Sequence, residues 1–142
     1  MENSNTIISK ERITMSGKRK TATAKATIRK GHERITINKI PYQNLDFIKK
    51  LIIQEPLEIT KKVLGNFNYE ISVTTSGGGK ESQIVASRLA IARALVAFTK
   101  SDDLKKAFST YDKSLLVADT RRKEACKPGD SKARRKRQKS FR

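Results

Sequence analysis

The chain contains 142 residues, 36% of them hydrophobic and 32% charged, and 32 Lys and Arg side chains against 14 Asp and Glu give a net charge of +18. A chain of this length and apolar content can form one compact domain with a modest core, and its positive charge indicates a polyanionic partner. Cys126 is the single cysteine, which argues against a disulfide framework or a cysteine-rich metal site and indicates a reducing compartment.

The first predicted elements are two β-strands that form a hairpin. Within GKRKTATAKATIRKG, residues 22–28 alternate between small apolar side chains and hydroxyl or basic ones, as in a strand with one buried face. An Ile-Thr-Met patch ahead of it extends this strand. The small buried residues indicate that a helix packs close to the sheet. After a turn at residues 30–33, residues 34–38 return as the second strand, with Ile35 and Ile37 inward.

Two helices are predicted after the second strand, with a break between them. Residues 44–53 carry an apolar stripe at helical spacing, and this helix must end before Pro56 because the residue ahead of a proline disfavours helical backbone. Pro56 suits the first position of a second, short helix, for which Gly65 is the expected C-cap.

The remaining predicted elements are two strands and two helices. Residues 69–75 alternate as a third strand, and residues 81–99 form the main, alanine-rich helix. Residues 102–108 form a further helix that begins at two aspartates, which suit its positive end. The apolar run at residues 115–118 is predicted to be a buried final strand. The order β-β-α-α-β-α-α-β corresponds to a two-layer sandwich of α and β.

The glycine run SGGGKESQ, residues 76–83, raises the question of a phosphate site. A P-loop is a poor match because Glu81 stands where the hydroxyl that binds Mg²⁺ belongs, and the dinucleotide pattern fails because Ser82 replaces its third glycine. A tight strand-to-helix turn, or a turn whose N–H groups approach an RNA phosphate, remain open. Standard catalytic and metal-binding motifs are absent and His32 lies in a turn, so we expect no enzyme, no metal and no cofactor.

The composition changes at residue 120. Residues 120–142 hold 11 of the basic and 2 of the acidic side chains, a net charge of +9, and too few apolar side chains to bury a core. We expect a polar N-terminal extension (residues 1–15), a globular domain (16–119) and a basic C-terminal tail (120–142) that is disordered until it meets its partner. No signal peptide or span long enough to cross a bilayer is evident, so we expect a soluble intracellular chain without a membrane partner.

Basic residues cluster at Lys18-Arg19-Lys20, beside the glycine run and in the tail, which favours a nucleic acid as the partner. Tryptophan is absent and aromatic residues make up 6% of the chain, so we expect contacts to phosphates and to nucleic-acid shape rather than base stacking. Two other classes stay open on these observations. The charge also permits a free-standing DNA-compacting protein, and the glycine loop a nucleotide-hydrolysing enzyme.

Several motifs, in one order from residue 16 to the C-terminus, resemble those of the family of the small ribosomal subunit protein numbered nine. The GKRK opening and the Gln-Lys-Ser-aromatic-Arg ending resemble its archaeal and eukaryotic branch more than the bacterial one, and Phe141 stands where Tyr is common. The motifs are GKRKTATAKATI, Ile37-Asn38-x-x-Pro41, Glu55-Pro56-Leu57, Gly77-Gly78-Gly79-x-x-Ser82-Gln83-x-x-Ala86, Ala90-x-Ala92-Arg93-Ala94-Leu95, Tyr111-Asp112, Arg121-Arg122-Lys123-Glu124 and Arg137-Gln138-Lys139-Ser140-Phe141-Arg142.

The resemblance implies an α+β fold like domain two of ribosomal protein S-five. This is a two-layer α/β sandwich with a mixed four-stranded sheet, a left-handed β-α-β crossover against the usual right-handed rule, and the extended basic tail. It also implies a non-enzymatic structural protein of the small-subunit head, cytoplasmic and ribosome-bound. Its partners would be small-subunit ribosomal RNA, neighbouring proteins of the head and the peptidyl-site transfer RNA, with no small-molecule substrate.

The resemblance and the basic clusters together give the expected binding residues. The globular domain and most of the tail would bind ribosomal RNA, and the end of the tail would contact the transfer RNA, with Arg142 on a phosphate of its anticodon stem-loop. The transfer-RNA residues are Lys139, Ser140, Phe141 and Arg142. The ribosomal-RNA residues are Lys18, Arg19, Lys20, Lys25, Gly77, Gly78, Gly79, Lys80, Arg121, Arg122, Lys123, Lys132, Arg134, Arg135, Lys136 and Arg137.

Overall fold

A computed structural model describes residues 12–126. Within this range one β-sheet and three α-helices form a mixed α+β sandwich, which confirms the predicted class. The elements are β1 (Arg12–Arg19), β2 (Ala22–Lys30), β3 (Arg34–Ile37), β4 (Ile40–Pro41), α1 (Phe47–Leu64), β5 (Tyr69–Ser76), α2 (Lys80–Thr99) and α3 (Asp102–Tyr111).

The sheet has five strands in the described range, so the predicted number of four is wrong. One added strand is β1, which pairs with β2 along its whole length instead of extending it. Lys20 and Thr21 form the turn between the two strands, and Lys20 has a φ of 53°. The inward positions change from odd-numbered in β1 to even-numbered in β2 at this turn. Residues 18–21 contain no glycine, proline, asparagine or aspartate that would mark a turn in the sequence. The other added strand, β4, is only two residues long.

The strand order β1-β2-β5-β3-β4 contradicts the predicted hairpin of residues 22–28 with 34–38. β5 lies between these strands, antiparallel to β2 and parallel to β3, and its Ile71 is in register with Ile28 on one side and Ile35 on the other. A short turn favours pairing of sequence neighbours, whereas this long-range pairing has no local signal. α1 links β3 to β5 as a β-α-β unit, as the resemblance implies. The left-handedness of that unit stays a prediction.

The two helices predicted on either side of Pro56 are one helix, α1, which contains Pro56 in its interior. A proline there removes a backbone hydrogen bond and costs about 3 kcal/mol. Ile53 and Leu57 are buried in the core on the two sides of Pro56, and the Thr60 hydroxyl donates to the Pro56 carbonyl at 2.7 Å. Tertiary packing thus outweighs the local preference. The predicted C-cap is confirmed, because Gly65 has a φ of 75° and donates to the Lys61 carbonyl.

The predicted final strand at residues 115–118 is also wrong. Lys113–Leu115 form a 3₁₀ turn, and the Asp112 carboxylate accepts the Ser114 backbone N–H at 2.8 Å. Leu115 is buried in the core, but Val117 is 66% exposed. A four-residue apolar run does not distinguish a strand from a turn with one buried residue.

The two layers meet through small side chains, as the alanines of β2 indicate. Ala22, Ala24 and Ala26 are fully buried, and α2 packs across β1 and β2. The layers approach closely at Gly17 of β1, where an added Cβ would lie 2.2 Å from the Ala86 carbonyl oxygen. By length and composition α2 could cross a membrane, yet half of it is buried inside the domain, where it is the core helix.

Arg88 of α2 connects the helical layer. Its guanidinium lies 2.7 Å from the Glu55 carboxylate of α1 and 3.0 Å from the Asp112 carboxylate, which follows α3. Hydrogen bonds from Ser114, and then from Arg88, hold the pKa of Asp112 below its usual value. Two of the resembling motifs, one with Glu55 and one with Asp112, are therefore joined through Arg88.

Gly17→Ala should destabilise the domain because the new methyl group would overlap backbone atoms of α2, which cannot yield without moving the helix. We expect a loss of at least about 2 kcal/mol in the free energy of unfolding, measured by urea denaturation. Gly31→Ala is the matched control, since its Cβ would meet only the Glu70 side chain at 3.4 Å. Equal stability of the two variants would contradict the close approach.

Candidate nucleic-acid interface

The glycine run forms the turn from β5 to α2, and two of its three glycines are required by their surroundings. Gly77 and Gly78 have φ of 71° and 64°, which L side chains disfavour. A Cβ on Gly78 would lie 2.8 Å from the Ala22 side chain, and one on Gly77 would lie 2.8 Å from the Thr21 carbonyl oxygen. The glycine turn therefore packs directly against the β1–β2 turn.

The start of α2 resembles a phosphate site only in part. Gly79 occupies the N-cap position without a side-chain cap, and the first turn of the helix contains Glu81, whose carboxylate lies 3.8 Å from Lys49 of α1. The Gln83 side chain donates to the Gly77 carbonyl at 3.0 Å and closes the turn. Between residues 12 and 126 no three His, Cys, Asp or Glu side chains cluster as a metal site.

The segment after the 3₁₀ turn returns to the β1–β2 turn, where Asp119 holds it. The Asp119 carboxylate forms an ion pair with Arg19 of β1. It also accepts the backbone N–H of Arg121 at 2.8 Å and the Arg121 guanidinium at 2.7 Å. The Arg122 guanidinium donates to the Asp119 carbonyl at 3.3 Å. One carboxylate thus fixes the root of the basic tail beside the hairpin.

This arrangement creates a depression with a volume of about 550 Å³. Its lining is here called the tail-root cluster. Five cationic side chains and one carboxylate line it, and the glycine turn lies next to it through Thr21. The lining residues are Arg19, Lys20, Thr21, Asp119, Arg121, Arg122 and Lys123.

Of the predicted ribosomal-RNA residues that the structure describes, Arg19, Lys20 and residues 121–123 line the tail-root cluster, and Gly77 and Gly78 pack against the turn beside it. Lys18 is exposed on the outer face of β1, one residue before the cluster. Lys25 lies further along the same face, on β2, in register with Ser16 and Thr74. Lys80 is exposed at the start of α2. The following predicted residues lie outside the described range: Lys132, Arg134, Arg135, Lys136, Arg137, Lys139, Ser140, Phe141 and Arg142.

Two kinds of arginine outside the predicted set stand out in the structure. Arg93 of α2 donates to the Ser16 carbonyl of the edge strand β1 at 3.0 Å and to the Leu116 carbonyl at 2.9 Å, and only the fold brings those carbonyls to it. The second kind, Arg12, Arg29 and Arg34, lies on the outer face of the sheet. For these the alternation of the strands was a usable signal, since each occupies an outward position.

A family model and individual relatives all relate this chain to one ribosomal protein family. A sequence model of the family described as Ribosomal protein S9/S16 matches residues 17–142. Small ribosomal subunit protein uS9 of Methanococcus maripaludis strain DSM 14266 is 44% identical over 130 residues, which cover 89% of this chain and 95% of that protein. The same protein from strain C7 is 43% identical, and that of Methanococcus vannielii 41% identical, with the same coverage.

The chain belongs to the ribosomal protein S9/S16 family. Members of this family are structural, non-enzymatic proteins of the small ribosomal subunit. The resemblance found in the sequence is therefore confirmed, and its archaeal character agrees with the Methanococcus relatives. The expectation that the chain is not an enzyme is also confirmed.

Membership of the S9/S16 family changes the interpretation of the glycine turn. A nucleotide-hydrolysing loop has no place in a structural ribosomal protein. The contacts of Gly77 and Gly78 with Thr21 and Ala22 supply the alternative reason for the glycines. Without side chains at these two positions, the start of α2 and the β1–β2 turn can approach each other closely.

Proposed function

We propose that this protein binds ribosomal RNA of the small-subunit head through the tail-root cluster, and that its C-terminal tail reaches the transfer RNA in the peptidyl site. The observation that carries the proposal is the convergence of Arg19, Lys20, Arg121, Arg122 and Lys123 around one concave surface. These cations come from two segments separated by most of the chain, and the fold brings them together.

The chemistry of the tail-root cluster favours phosphate. Guanidinium groups bind phosphate oxygens through paired N–H donors, and three of the five cations are arginines. No aromatic side chain lines the surface, so bases have no stacking platform there. The contacts therefore position the protein on an RNA backbone more than they distinguish one sequence from another.

Asp119 gives the cluster its geometry. The ion pair with Arg19 and the bonds to Arg121 set the direction in which the chain leaves the domain. A fixed root lets the rest of the tail extend from a defined point on the RNA-facing side. The tail beyond the root is outside the described range, and its route to the transfer RNA rests on the family resemblance.

The proposed function also specifies the location of the protein in the cell and its partners. Family membership implies association with the ribosome, and we place the protein in the cytoplasm, bound to small-subunit ribosomal RNA and to neighbouring proteins of the head. No cofactor and no small-molecule substrate belong to this function.

RNA affinity should depend steeply on salt. If about eight phosphates are neutralised, affinity for a head-domain ribosomal RNA fragment should fall by roughly 10³ to 10⁵ between 50 and 200 mM salt. The triple variant Arg121→Gln/Arg122→Gln/Lys123→Gln should flatten the slope of log affinity against log salt by about three. The matched control is Lys62→Gln/Lys105→Gln/Lys106→Gln, which removes the same charge from exposed helical positions. Equal slopes for the two triple variants would show that the position of the charge is irrelevant, and the proposal would fail.

Deleting residues 139–142 should distinguish the function of the tail from the stability of the domain. Stability should stay unchanged because four mostly polar terminal residues offer little apolar surface to bury. Purified small subunits carrying the truncation should bind peptidyl-site transfer RNA about 1–3 kcal/mol more weakly. Arg142→Ala should reproduce most of this loss and Arg142→Lys only part, because an ammonium lacks the paired donors. Unchanged transfer-RNA affinity in all three variants would remove the tail from the peptidyl site.

A further inference from the structure

The face of the sheet opposite the helices is lined by hydroxyl and charged side chains. On β1, β2, β5 and β3 every outward position is exposed or half-exposed, and none is apolar. Lys25 belongs to this face and does not line the tail-root cluster. The outward positions, here called the outer sheet face, are Arg12, Thr14, Ser16, Lys18, Thr23, Lys25, Thr27, Arg29, Arg34, Thr36, Glu70, Ser72, Thr74 and Ser76.

The register of the strands sorts these side chains into rows. One row consists of four hydroxyls on four adjacent strands: Thr14, Thr27, Ser72 and Thr36. The next row along the strands consists of Arg12, Arg29, Glu70 and Arg34. On the other side of the hydroxyl row lie Lys25 and then Lys18. A hydroxyl row therefore separates an arginine-rich end from a lysine-bearing end.

Part of this surface is fixed by internal contacts and part remains available. Arg29 and Glu70 form a two-point ion pair with separations of 2.7 and 3.0 Å, which raises the pKa of Arg29. The Thr14 and Thr27 hydroxyls lie 3.0 Å apart. Within residues 12–126 the hydroxyls of Thr36 and Ser72 have no hydrogen-bond partner. Both border a depression of about 480 Å³ whose rim includes Arg12 and Arg34.

The dimensions and chemistry of these rows fit an A-form RNA duplex. The hydroxyl row spans about 14 Å across the sheet, and successive outward rows lie about 7 Å apart. The A-form minor groove is wide and shallow, with 2′-hydroxyls and base edges exposed between two phosphate backbones. A protein hydroxyl can donate to and accept from a 2′-hydroxyl, while cations on either side match the phosphates.

We propose that the outer sheet face binds the minor groove of an RNA duplex. The hydroxyls of Thr36 and Ser72 contact 2′-hydroxyls, while Arg12 and Arg34 on one side and Lys25 on the other contact the flanking phosphates. The inference rests on the proposed RNA-binding function and adds to it a second surface, one that distinguishes RNA from DNA. No aromatic side chain occupies an outward position on these strands, so stacking of single-stranded bases is not its mode.

The test compares the full chain on RNA and DNA duplexes of identical sequence, about 16 base pairs long, over the same series of salt concentrations. Thr36→Val/Ser72→Ala should lower the ratio of RNA to DNA affinity by about 5- to 10-fold, through the loss of two hydrogen bonds to 2′-hydroxyls. The salt slope should not change, because no charge is removed. The matched control is Ser109→Ala/Thr110→Val on exposed positions of α3, which should keep the wild-type ratio.

A second variant tests the phosphate contacts. Arg12→Gln/Arg34→Gln should weaken binding to both duplexes and flatten the salt slope by about two, with the ratio of RNA to DNA affinity preserved. Thermal unfolding of each variant, compared with wild type, verifies that the sheet is intact.

Three results would overturn the inference. They are an unchanged affinity ratio in Thr36→Val/Ser72→Ala, equal affinity of the wild type for RNA and DNA, and single-stranded RNA competing as well as the duplex. Each of these leaves RNA binding through the tail-root cluster intact. Absence of any salt-dependent RNA binding would instead contradict the proposed function itself.

Discussion

The close approach of α2 to the sheet is the constraint on which the rest of this structure depends. Gly17 leaves no room for a side chain beneath Ala86 and Ala90, and fully buried alanines of β2 and α2 continue the same close packing. A sheet that buries one face in this way must direct its basic and hydroxyl side chains to the other. The outer sheet face is therefore a consequence of how the core is packed.

The same helix also determines where the tail begins. Arg93 reaches from α2 to the Ser16 carbonyl of β1 and to the Leu116 carbonyl, so it ties the segment after α3 to the edge of the sheet. A few residues later Asp119 pairs with Arg19. The contacts of Arg93 and Asp119 therefore hold the chain along its path from the helical layer to the β1–β2 turn. The glycine turn supports that position from the other side through Thr21 and Ala22.

Local patterns in the sequence predicted most elements but not their partners. The alternation of β2, the alanine-rich α2 and the Gly65 cap are local, and they are confirmed. Pairing of β5 with both β2 and β3, the continuity of α1 through Pro56 and the irregular backbone after Leu115 depend on distant contacts. Those contacts are set by burial of residues such as Ile53, Leu57 and Ile71, which no short window of sequence contains.

In the candidate sites, too, local sequence predicted the segments but not the contacts between distant residues. Charge and glycine patterns indicated Lys18-Arg19-Lys20, residues 77–79 and residues 121–123, and the structure brings these segments to one end of the domain. The role of Asp119 was not predictable, because its partner Arg19 lies one hundred residues earlier in the chain. The outer sheet face was visible only as alternation along single strands. Its rows appear once the register of four strands is known.

We infer that RNA lies against the sheet side of the domain and not against its helices. Lysine acetylation followed by mass spectrometry, on the free protein and on its complex with an RNA duplex, tests this claim directly. We expect RNA to protect Lys18, Lys25 and Lys123, whereas Lys105 and Lys106 of α3 should keep the reactivity they have in the free protein. Protection of the α3 lysines, with Lys18 and Lys25 still reactive, would contradict it.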